Sequence, residues 1–117
     1  MRHEVRALAM PATGQNGAST SVRDLTNCCV LIDGTGAGGF SVKVQGKISG
    51  PAANTQSSAW FDLTGAITAS TLVPLDRIAS SDLGGYSIPF TDIRIVSTTT
   101  GNPAPIATVA GYNTRTA

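Results

Sequence analysis

Apolar and polar residues alternate with period two along much of this chain, the repeat of a strand with one buried side. The clearest stretch sets Phe40, Val42, Val44, Gly46 and Ile48 against Ser41, Lys43, Gln45 and Lys47. An earlier strand runs from Val5 to Met10 and is closed by Pro11, which cannot donate to a ladder and keeps its predecessor out of the helical region. Residues 21–25, 27–32, 59–63, 72–75, 85–88, 90–97 and 106–112 read as further strands. Cys28 to Ile32 is apolar without a break, the pattern of a strand covered on both faces. Segments 13–20 and 49–58 are loops by composition, the second an exposed tip. No segment carries apolar residues at helical spacing for three turns, and 64–70 has room for one short helical turn at most. About eight short strands, each with one wet face, predict an all-β fold: an antiparallel two-sheet β-sandwich, jelly-roll-like, spanning 1–117 as a single domain.

Composition sharpens this picture. A chain of 117 residues can bury one hydrophobic core, yet it has only three Phe, two Tyr and one Trp to fill it. Val, Ile, Leu and Ala must do most of the filling, with Phe40, Val42, Val44, Trp60, Ile93 and Ile95 as the expected core anchors. Trp60 is placed between the sheets, near a partner for its indole N–H. Eight basic residues against seven acidic ones, scattered singly, make no cationic stripe, so nucleic acid is not an expected partner. No apolar run approaches the roughly 20 residues that span a bilayer, and Met1-Arg2-His3-Glu4 does not open an export signal. The expected site of synthesis is the cytoplasm, with no membrane partner. Adjacent Cys28 and Cys29 point to opposite faces of a strand and read as reduced packing residues.

Candidate chemistry thins out on inspection. Gly34-Thr35-Gly36-Ala37-Gly38-Gly39 has the spacing of a dinucleotide fingerprint, but that motif needs a helix to begin at the glycines, and here an alternating strand follows. A hairpin loop is the expected reading. His3 is the only histidine, with no second ligand or triad partner beside it, and no serine sits in Gly-x-Ser-x-Gly. Asp62, Asp76, Asp82 and Asp92 lie on separate strands and turns, and no D-x-D-x-D run frames a calcium loop around Asp24, Asp33 or Asp62. Trp60, Tyr86 and Tyr112 could line a sugar platform but read more simply as core or interface anchors. No catalytic residue, cofactor or metal is expected.

The segments Phe40-Ser41-Val42-Lys43-Val44-Gln45-Gly46-Lys47-Ile48, Trp60-Phe61-Asp62-Leu63, Val73-Pro74, Ile93-Arg94-Ile95-Val96, Thr100-Gly101-Asn102 and Ala107 to Tyr112 form a series. Over residues 40–112 this series resembles the small β-sandwich structural proteins of tailed bacteriophages, most closely capsid decoration, or cement, proteins. The resemblance implies a non-enzymatic virion component, here expected on the capsid surface with the major capsid protein as partner, and symmetry favours a homo-oligomer, dimer or trimer, on local two-fold or three-fold axes. Tail, neck and head-fibre modules share the pattern, and a carbohydrate-binding host-recognition module is the rival of a different class. A surface rich in the 26 Ser and Thr and poor in Lys suits broad contacts between many copies. Residues 1–10 are the expected interface arm or edge strand, with Arg2, His3, Val5, Arg6, Leu8 and Met10 as the candidate contact residues.

Overall fold

The computed structural model describes residues 2–47, 60–75 and 91–113. These form eight strands: β1 (Arg2–Leu8), β2 (Thr20–Ser21), β3 (Leu25–Asp33), β4 (Ser41–Lys47), β5 (Trp60–Asp62), β6 (Thr71–Pro74), β7 (Asp92–Thr99) and β8 (Ile106–Asn113). Two four-stranded antiparallel sheets result, one in the order β1-β8-β3-β6 and the other β2-β7-β4-β5. Strand β1 pairs with β8, β2 with β7, β3 with β6 and β4 with β5. The chain is thus one long hairpin, rolled so that successive rungs fall in alternate sheets, with the β3–β8 and β4–β7 ladders joining the rungs. That is the strand order of an eight-stranded jelly roll. Periodicity predicted the sandwich, and the register supplies the order.

The core lies between the sheets and draws on both. Val30, Ile32 and Val109 from the first sheet and Val44, Ile93 and Ile95 from the second have no exposed surface. Burying a side chain of this size contributes about 1.5–3 kcal/mol. Phe40 and Val42 are buried beside them, so five of the six expected anchors are core residues. Trp60 is not. Val42, Val44 and Gly46 point inward from β4, so Lys47 points out, and Trp60 sits opposite Lys47 in the β4–β5 ladder. Its half-buried ring lies on the outer surface, 4.3 Å from the Arg94 guanidinium carbon and 5.8 Å from Lys47 Nζ.

Other elements depart from the pattern reading for local reasons. In β3 the register slips between Thr26 and Cys29, and Asn27 takes φ 52°, a left-handed conformation that Asn tolerates well. This bulge lets Leu25 and Cys28 both face the core although they are three positions apart. Strand β1 begins at Arg2, earlier than Val5, because all seven residues to Leu8 find partners on β8. Residues 64–70 contain no helical turn. Ile67 instead exchanges backbone hydrogen bonds of 2.7 and 3.1 Å with Val42, alongside β4. The strand expected at 85–88 and the tip expected at 49–58 lie outside the described residues.

Candidate functional site

Side-chain parity on the first sheet sends Leu8, Cys28, Val30, Ile32, Val73, Ala107 and Val109 inward. The alternate positions therefore make the outer face. Register arranges them in rows across the four strands: Val5, Ala110, Cys29 and Pro74 in one, Ala7, Thr108, Leu31 and Leu72 in the next. His3, Tyr112 and Thr26 close one end, and Ile106 and Asp33 the other. Each sheet was expected to present a wet outer face; this one is apolar. Val5, Leu31, Leu72, Ile106 and Tyr112 are all exposed on it, with Ile106 at 66% and Leu72 at 61%. Among the described residues its ionisable oxygen and nitrogen groups are His3, set edge-on to Tyr112 at 5.9 Å, and Asp33, with the Tyr112 hydroxyl. Backbone and side-chain hydrogen bonds from Thr35 hold the Asp33 carboxyl below its ordinary range.

The outer face of the second sheet is its opposite. Asp62 accepts from Gln45 at 2.9 Å and from Lys43 at 3.2 Å, while Arg94 Nε donates to Gln45 Oε1 at 2.9 Å and covers Trp60. The Gln45 and Lys43 bonds lower the Asp62 carboxyl, and burial lowers the Arg94 guanidinium from its usual value. These groups satisfy one another.

The six candidate contact residues of the N-terminal segment divide. His3 and Val5 stand on the apolar face, at its β1 edge. Leu8 belongs to the core and Met10 packs against it, so neither offers a surface contact. Arg6 is half-buried at the mouth of the sandwich, where it donates to both Asp24 oxygens at 2.9 and 2.8 Å, to Glu4 Oε2 at 2.6 and 3.0 Å, and to the Ser21 carbonyl at 2.9 Å. Asn113 Nδ2 completes the cluster by donating to Glu4 Oε1 at 2.6 Å, and Arg2 adds an exposed bond of 3.3 Å to the same oxygen. Arg6 therefore clasps β1 to the turn leading into β3. The two carboxylates raise its guanidinium well above the usual range, and the Asn113 and Arg6 bonds lower Glu4.

The glycine-rich loop has a mechanical role. Gly36 has φ 75° in the turn closed by Ala37 N–H to Gly34 C=O at 3.0 Å, and a side chain on Gly38 would meet the Asn102 backbone at 2.7 Å. Strand β4 follows, with no helix to receive a phosphate. No cluster of three metal-ligating side chains occurs among the described residues, and none of their buried side-chain polar atoms lacks a hydrogen bond. Trp60 and Tyr112 stand on opposite outer faces, so no common platform holds both rings. The chain matches no protein-family model, no curated protein and no solved structure.

The apolar face escaped sequence reading because its members come from four strands that are not consecutive. One signal did point to it: Cys28 to Ile32 reads as covered on both sides, and the fold covers one.

Proposed function

We propose that this chain is a non-enzymatic virion structural protein, a decoration protein that binds the outer surface of a phage-like head and bridges neighbouring major capsid subunits. The observation that carries the assembly part of this reading is the apolar outer face of the first sheet. Exposed apolar faces of this kind mark interaction surfaces, and burying one stabilises an assembly in proportion to the area removed from water. The capsid as partner rests on the resemblance of residues 40–112 to phage β-sandwich proteins. Bridging needs no reaction. Each copy that spans a subunit boundary adds contacts that must break before the subunits part, and many copies act together. A carbohydrate-binding role through Trp60, Tyr86 and the 49–58 loop is less well supported, since Arg94 occupies the ring of Trp60; Tyr86 and that loop lie outside the described residues.

The test mixes purified protein with expanded, undecorated phage heads and follows co-sedimentation and head melting. The expected result is saturable binding in fixed ratio to capsid protein and a raised melting temperature. Absence of binding to any head, with binding to purified tail or neck assemblies, would move the protein to that part of the virion.

A further inference from the structure

We infer that Arg94 and Lys47, on the outer face of the second sheet, form a binding site for a carboxylate, the side chain of an Asp or Glu on a partner protein. Register builds the site. Lys47 on β4 has Trp60 of β5 on one side and Asp92 of β7 on the other, and Arg94, two residues beyond Asp92, stands opposite Gln45. From there Arg94 lays its half-buried guanidinium over the Trp60 ring, with the guanidinium carbon 4.3 Å from the centroid, while its Nε donates to Gln45 Oε1 at 2.9 Å. Ring and amide together fix the guanidinium plane. The network of this face satisfies Asp62, Gln45 and Arg94 Nε and stops there: neither Nη group of Arg94 has an acceptor among the described residues. Lys47 Nζ, 5.8 Å from the same ring, has none among them either.

Arg6 shows what this chain does with an arginine whose partners it supplies: two carboxylates hold the guanidinium and raise it. Arg94 has lost part of its hydration and gained one neutral acceptor, so burial lowers it with no carboxylate bond among the described residues to offset the loss. An incoming anion supplies that offset. The carboxylates of the face are engaged elsewhere, Asp62 with Lys43 and Gln45, and Asp92 with Thr91 Oγ1, which donates to it at 3.2 Å. Lys43, Lys47 and Arg94 against Asp62 and Asp92 leave a single positive charge in excess, which suits a singly charged carboxylate better than a doubly charged phosphate. The paired Nη groups match the two oxygens of a carboxylate, and Lys47 adds a point charge beside them. Because Arg94 already covers the Trp60 ring, an acidic sugar has no face there on which to stack, and a protein side chain needs none.

Trp60 is the only tryptophan of the chain, so its fluorescence reports on this site. The test titrates the full chain at low salt with a short end-blocked peptide carrying a single Glu. The expected result is a saturable change with a dissociation constant on the order of millimolar, what one bidentate and one point-charge contact supply at a half-exposed site, and a loss of affinity as salt is added. Arg94→Gln should weaken binding about tenfold, and Arg94→Lys, which keeps the charge without the fork, should recover only part of that loss. Lys47→Gln should weaken binding by a smaller factor while melting as wild type does. Absence of binding at low salt, equal binding of the same peptide with Gln in place of Glu, or wild-type affinity in both Arg94→Gln and Lys47→Gln overturns the proposal. Glucuronate or inorganic phosphate that binds more tightly than the peptide gives the site to an acidic sugar or a phosphate and overturns the assignment to a protein carboxylate. Peptide binding by a chain that decorates no head leaves the carboxylate site standing and removes the decoration role.

Discussion

Gly38 has the Asn102 backbone so close that even a methyl group would overlap it, and Gly101 on the same crossing has φ 83°. Replacing Gly38 by Ala should cost about 1–3 kcal/mol, the usual cost of overpacking against atoms that cannot move aside; a shift in the urea midpoint would show it. Ile95→Ala, at a fully buried position, should cost about 2–5 kcal/mol by the same measurement. Glu4 responds to pH in a definite direction. Its carboxyl is lowered in the folded chain from 4.5 by its bonds to Asn113 and Arg6, so the stability it contributes is full above the unfolded value and is lost as pH falls through the folded one. Glu4→Gln should therefore melt below wild type at pH 7, and the gap should close toward pH 3. Melting curves recorded at intervals between those limits would reveal a constant gap if the carboxylate were irrelevant.

At the scale of elements, β1 has two sides with different duties. Leu8 enters the core and Arg6 holds the clasp, while His3 and Val5 face outward. Deleting residues 1–10 would therefore strip the core and unpair β8 as well as remove surface contacts. Val5→Lys is the cleaner change: it should leave the melting temperature nearly unaltered, since surface substitutions stay within about 0.5 kcal/mol, and should impair assembly. Calorimetry beside sedimentation separates the two effects. Strand β4 was legible because its seven residues alternate apolar with polar and one side lies wholly in the core. The two residues of β2 and the three of β5 are too few to display a period. Trp60 was misplaced for a related reason. Size and hydrophobicity favour the core, but register against Lys47 decides its side, and register cannot be read from one strand.

At the scale of the molecule, the sandwich has one face that satisfies itself with ion pairs and hydrogen bonds and another that leaves apolar groups in water. Composition could not reveal this, because it averages the two. The pairing of β1 with β8 has a consequence for how the chain is made. Synthesis releases β1 about a hundred residues before its ladder partner β8, so the nascent chain holds β1 and one edge of β3 open until β8 has emerged. Chains halted before Ile106 should aggregate, whereas chains that include β8 should close the sheet on the millisecond-to-second scale of folds dominated by distant partners.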